Sequence, residues 1–275
     1  MDRILTVIKR FFIDRFHDQS AQMAYYFMLS IFPFLIFAFS LVSFLPVRVE
    51  DILSAIEPFA PKGSFHLIKS NILSIFGQQQ TKIASFSLLA AFWIASMAVQ
   101  SLVRAMNDAY KIVREEGFFL AFGKDLILTL SLMVTLTISL LVPIGEEIGR
   151  FFLATHIELP PSFHKWWFLS KWVIGSIYLF FFFLFLYKVV PSKKVSIQNI
   201  IPGAIFATIG WQTVSVGFSY YVSFAASYTR LYGQLGNIIV LMIWFYFTAA
   251  VLLIGGLLNA TWIAKKAEEV PDPST

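Results

Sequence analysis

From Ile238 to Leu258 the chain runs 21 residues without a charge. A helix needs roughly 20 predominantly apolar residues to cross a bilayer, so this stretch reads as a membrane-crossing helix. It also carries groups that a plain anchor does not need. Asn237 and Asn259 stand at its ends, Gly255 and Gly256 near its close, and the turn Tyr232-Gly233-Gln234 at its mouth. Asn259 falls one helical turn after Gly255, which puts an amide beside a surface with no side chain. That spacing suits close packing of another helix, with the amide bonded across the contact. Contact with a transported molecule is the alternative for the same groups.

The rest of the chain is built the same way. Charged residues make up 13% and hydrophobic ones 58%, with 31 Phe and 7 Trp. A soluble domain carries roughly twice that charge fraction. No polar segment is long enough to form a core of its own, so the expectation is an all-α polytopic membrane protein in one domain, residues 1–265. With no cysteine, disulfides, thiolate catalysis and zinc–thiolate sites are excluded. A net charge of +5 would suit nucleic acid, but in a membrane protein it reflects cytoplasmic loops and anionic headgroups. No short apolar stretch followed by a small-residue cleavage site is visible near the start.

Six spans are expected, at about 21–45, 84–106, 126–143, 167–190, 201–223 and 236–262. Two shorter segments, 2–18 and 64–77, have helical periodicity suited to the membrane interface. In the first, Leu5, Ile8, Phe11, Phe12 and Phe16 share one side; packing on the protein's own loops is the alternative to a membrane surface. Pro33 lies inside the first span, so the Leu29 carbonyl loses its partner, a kink is expected, and Ser30 is placed to satisfy part of that loss. The second span aligns Trp93, Ser96, Gln100, Arg104 and Asn107 on one face, a polar stripe expected to face the bundle or a wet cavity. Snorkelling of Arg104 to headgroups is the other reading. The third span carries five hydroxyls able to bond back to their own helix, and ends at Pro143, Gly145, Glu146 and Glu147. The fourth is nearly all Phe and Leu from Phe180 to Leu186, with Tyr178 and Tyr187 as polar exceptions. The fifth starts at Pro202, a favoured first helical position, and repeats Gly203, Gly210 and Gly217 every seven residues beside Trp211. Such a groove admits another backbone, from this chain or from a second copy in a homo-oligomer. Thirteen of the 21 lysines and arginines fall on the side of the termini and eight on the other, which places both termini in the cytoplasm. The tail 266–275, with two prolines, is expected to be disordered.

Five segments together resemble the YihY/BrkB family of bacterial inner-membrane proteins. They are AYYFMLSIFP (24–33), AFWIASMAVQSLVRAMNDAY (91–110), YKVVP (187–191), IPGAIFATIGW (201–211) and YGQLGNIIVLMIWFYFTAAVLLIGGLLNA (232–260), in order over nearly the whole chain. The resemblance implies a six-helix bacterial membrane protein. Members were formerly mislabelled ribonuclease BN, others carry a virulence-factor label, and lipid or amphiphile transport has been suggested for the family. It brings no catalytic residues with it.

The residues themselves offer little hydrolytic chemistry. A nuclease would want clustered carboxylates for two metals or a histidine pair. Asp108, Glu115, Glu116 and Asp125 are instead scattered among Lys111, Arg114 and Lys124, and the four histidines lack ligand spacing. No nucleotide-binding loop or HExxH motif is present. The expectation is therefore a non-enzyme without cofactor, metal or nucleic-acid partner, whose partners are membrane lipids. The expected function is transport or flipping of a lipid or other amphiphile, with a membrane scaffold as the alternative. The candidates for the path are Ser30, Trp93, Ser96, Gln100, Arg104, Asn107, Trp211, Gln234, Asn237 and Asn259. The candidates for helix packing are Pro33, Gly203, Gly210, Gly217, Gly255 and Gly256.

Overall fold

A computed structural model describes residues 2–42, 81–156, 161–224 and 234–269. Among them the chain is all-helical: α1 (Asp2–Ile13), α2 (Phe16–Val42), α3 (Thr81–Ala109), α4 (Phe118–His156), α5 (Pro161–Val189), α6 (Ile197–Phe224) and α7 (Gln234–Glu269). Four helices hold stretches long and apolar enough to cross a membrane: Phe118–Ser139, Trp172–Val189, Ile197–Tyr221 and Ile238–Ala264. The interfacial segment 64–77 and the last residues of the tail, 270–275, lie outside the described residues.

The last apolar run is the centre of the bundle. α7 packs against α6, α2, α1 and α3, while α2 pairs with α3 and α5 with α6. Ala249, Leu253 and Leu257 are fully buried on α7, as are Met23 on α2, Met106 on α3 and Ala204 and Ala207 on α6. Much of the remaining helix surface is exposed and apolar, as lipid-facing surface must be.

Several helix ends differ from the sequence expectation. The first amphipathic segment is broken: Arg15 adopts a left-handed backbone (φ 60°), α1 stops, and α2 begins at Phe16. Its apolar side also splits. Val7, Phe11 and Phe16 are buried in the bundle, while Leu5, Ile8 and Phe12 are exposed. α2 remains helical through Pro33, and the Ser30 hydroxyl donates to the Phe27 carbonyl at 3.0 Å, not to Leu29. α4 does not end at Pro143 but continues to His156, because a helix may outrun its apolar window once it leaves lipid. α6 begins at Ile197, five residues before Pro202, which therefore sits inside the helix. α7 extends through 266–269, so that part of the tail is helical. α3 ends with Lys111 in the left-handed region (φ 55°). There Ile112 N–H donates to Asn107 O (2.8 Å) and Lys111 N–H to Asp108 O (3.1 Å), which satisfies carbonyls the helix end would orphan.

Candidate functional site

Three helices converge on the Gly255–Asn259 turn of α7. Gly203 of α6 comes so close that a Cβ there would lie 2.5 Å from Asn259 Oδ1 and closer still to the Gly255 carbonyl. Tyr187 of α5 presses its ring on Gly255, and Met106 of α3 places its sulfur 2.7 Å from where a Gly256 Cβ would be. The Tyr187 hydroxyl, on a fully buried side chain, donates to the Leu252 carbonyl at 2.8 Å. Asn259 is fully buried too, and its Oδ1 accepts from the Gly203 N–H at 2.7 Å. Gly203 directly follows Pro202, which lies inside α6. Asn259 Nδ2 stands by the Tyr110 hydroxyl, and neither atom closes a hydrogen bond among the described residues.

Around this hub, polar side chains tie the same end of the bundle together. Asn107 at the foot of α3 donates through Nδ2 to Ser192 Oγ (2.8 Å) and accepts from Ser192 N–H through Oδ1 (2.9 Å). Both polar arms of one amide are thus spent on the α5–α6 turn. Gln19 of α2 donates to Asp108 (2.9 Å), and Arg10 of α1 donates to the Ala109 carbonyl (2.9 Å). Arg114 grips Asp125 with two nitrogens at 3.0 and 2.8 Å. The hydrogen bond to Asp125 raises the guanidinium further above its ordinary value, against the opposing effect of burial.

The α3 stripe divides across its width. Ser96 and Asn107 are buried, and Ser96 spends its hydroxyl on the Trp93 carbonyl (2.7 Å). Gln100 is half-buried, with its amide 3.4 Å from Ser96 Oγ. Trp93 and Arg104, on the other edge, face outward. Trp93 is 53% exposed with its ring 5.7 Å from that of Phe122, and Arg104 has no ion pair or hydrogen bond among the described residues. Within the buried half, Asn107 thus ties α3 to the α5–α6 turn while Ser96 and Gln100 bond within α3, and the outer edge is free for another molecule. Ser30 is half-buried on α2. Gln234 and Asn237 fall in the first turn of α7 and Pro33 inside α2; their side chains lie outside the described ones.

The α6–α7 seam changes character along its length. At Gly203 backbone meets backbone and side-chain amide. At Gly210 the nearest neighbour of an added Cβ is Val251 Cγ1, at 3.0 Å. At Gly217 nothing described lies within 4 Å, and the residue is exposed. Gly217 is thus not a close-packing position among the described residues, and toward it aromatic rings meet across the seam. The Trp244 ring lies 6.1 Å from that of Trp211 and 6.0 Å from that of Phe218. Gln212, on the far side of α6, donates to Ser176 of α5 at 2.7 Å. Among the described residues no three His, Cys, Asp or Glu side chains gather in a way that would hold a metal.

The sequence matches the family described as Virulence factor BrkB over residues 7–275. The chain belongs to the BrkB family. A ribonuclease-like protein of Bacillus subtilis, YfkH, is 36% identical over 99% of this chain and 98% of its own length. A UPF0761 membrane protein of Pseudoalteromonas translucida is 27% identical over 96% of this chain and 87% of its own. One of Tolumonas auensis is 27% identical over 92% and 82%. No solved structure matches. For a BrkB-family membrane protein, the ribonuclease wording in the first relative's name is a mislabel.

Sequence reasoning passed over three residues of the hub and its ties. Tyr187 carried a signal, as one of the polar groups in the Phe/Leu stretch of α5. Ser192 and Tyr110 carried none: their roles come from loops meeting helix ends far away in sequence.

Proposed function

We propose that this BrkB-family protein carries a lipid or other amphiphile through the bacterial cytoplasmic membrane, as a six-span bundle with both termini in the cytoplasm. The observation that carries this reading is the α6–α7 seam. It is locked at the Gly203–Asn259 end, while toward Gly217 the rings of Trp211, Phe218 and Trp244 meet across it. Interlocked backbones cannot part without losing their bonds, whereas rings can swing aside on a side-chain torsion. An amphiphile entering sideways would put its headgroup between the helices and leave its tails in lipid. The outward Arg104 and Trp93 supply a second polar contact on the bundle surface, suited to a headgroup phosphate.

The test is reconstitution in liposomes with labelled lipids of several headgroups. Flipping above that of empty vesicles is expected, slowed severalfold in Arg104→Ala. Rates no higher than in empty vesicles for every headgroup would end the transport reading.

A second reading, a scaffold or envelope-assembly factor that transports nothing, draws on a different observation. Asn107 spends both polar atoms on the α5–α6 turn, and Asn259 spends its Oδ1 on α6. In either reading the protein is not an enzyme and needs no cofactor.

A further inference from the structure

The apolar residues of α1 do not all serve the bundle. Val7 and Phe11 are buried, and the helix packs against α7 and α2. Ile4, Leu5, Ile8, Phe12 and Ile13 lie away from that contact, and each is at least half exposed. With about 100° between successive residues, Ile4, Ile8, Phe12 and Leu5 follow one another around an arc of about 100°. Lys9 comes next, between Leu5 and Ile13. Leu5, Ile8, Lys9, Phe12 and Ile13, together with Thr6, border one depression on this outer face. With 12 residues, α1 is too short to cross a bilayer, which needs roughly 20.

Charge at this end of the bundle is lopsided. Arg10 donates to the Ala109 carbonyl, which sets α1 beside the foot of α3, and Asn107 ties that foot to Ser192. Lys9, Lys111, Lys193 and Lys194 are therefore carried on one end, exposed and without an ion pair among the described residues. The acids there are mostly spent. Asp14 and Asp18 pair with Arg10 and Arg15, Glu116 and Asp125 pair with Lys124 and Arg114, and Asp108 accepts from Gln19. Among the described side chains only Glu115 is left.

Water, a second copy and a lipid leaflet fit this face unequally. Water would meet a contiguous apolar patch of a kind that soluble surfaces avoid. A twofold contact would bury Lys9 against a face of the same charge, and lysine is depleted from interface cores. An anionic leaflet suits both halves. The apolar side chains enter the acyl boundary, and the lysine stem lies along them with its ammonium at the phosphates.

We infer that the outer face of α1 is a binding site for an anionic phospholipid of the adjoining leaflet, with Lys9 at the phosphate. The inference goes beyond both readings of the function and holds under either. Its headgroup chemistry is that met by Arg104, but on a helix that does not cross the membrane.

The chain has no cysteine, so one introduced at Ile8 or at Phe12 takes a single spin label. The full chain is placed in nanodiscs of phosphatidylcholine with phosphatidylglycerol. Both labels should be relaxed more by oxygen, which concentrates in lipid, than by a water-soluble nickel chelate. The second arm is lipid retention read by native mass spectrometry. Wild type should retain phosphatidylglycerol at least fivefold better than phosphatidylcholine of matched tails. Lys9→Gln should cut that preference about fivefold, the worth of one lysine near an anionic surface, and Lys9→Arg should keep it. Labels relaxed mainly by nickel overturn the inference and give the face to water. Labels shielded from both relaxants overturn it and give the face to protein, a second copy or another part of this chain. Lipid-immersed labels with an unchanged preference in Lys9→Gln also overturn it, leaving a plain apolar contact.

Discussion

Replacing Gly203 by Ala tests the hub directly. The new methyl would overlap the Gly255 carbonyl and the Asn259 amide. The first is backbone in the middle of α7 and cannot swing away; the second can move only by giving up its 2.7 Å bond to Gly203 N–H. Overpacking of this kind costs about 1–3 kcal/mol. The lost hydrogen bond adds about 1 kcal/mol. The better helix propensity of Ala returns about 1 kcal/mol. The net is a loss of roughly 2 kcal/mol, or a fall in Tm of about 5 °C for a chain of this size. Gly217→Ala, with no described atom to meet, keeps the propensity gain and should be neutral or raise Tm by a degree or two. Gly210→Ala should fall between them, since its neighbour is one movable valine methyl at 3.0 Å. The assay is thermal unfolding of the purified protein in detergent, followed by tryptophan fluorescence. Equal shifts at Gly203 and Gly217 would refute a seam locked at one end and loose at the other.

Three further outcomes follow from the polar ties. Asn107→Ala and Ser192→Ala should each lower stability by about 1–2 kcal/mol, and a double-mutant cycle should show coupling near 1 kcal/mol or more; additive effects would mean that the two do not act as a pair. Tyr187→Phe removes only the bond to the Leu252 carbonyl and should cost about 1 kcal/mol with the ring still packed on Gly255; an unchanged Tm would show that carbonyl satisfied elsewhere. Arg114→Ala strips a buried carboxylate of its bidentate partner and should cost about 3 kcal/mol, largely recovered in Arg114→Ala/Asp125→Leu; a double variant no better than the single one would rule out the stranded charge as the cause.

Much of the helical layout could be read directly, because crossing a bilayer demands long uncharged runs and few other constraints compete with that demand. Boundaries were less legible. Helix α4 passes Pro143 and α6 starts before Pro202, since proline marks a local preference that flanking turns can override. The amide of Asn259 one turn from Gly255 was a sound pointer to a cross-helix bond, because a small residue beside a buried amide has few other uses. The α3 stripe was a weaker guide. Five polar residues share a face about 80° wide, but the line between buried and exposed falls within it.

Sequence alone thus determined the class of solvent, the helical character and the glycine and amide positions where backbones could meet. These follow from chain-local chemistry: hydropathy over about 20 residues and the presence or absence of a side chain. Only the tertiary structure decided which helix fills each groove, that Gly203 is gripped while Gly217 is free, and that Asn107 and Asn259 are bound inward while Arg104 points out. A side chain's partner depends on the approach and register of a second helix, and no spacing along one helix encodes either.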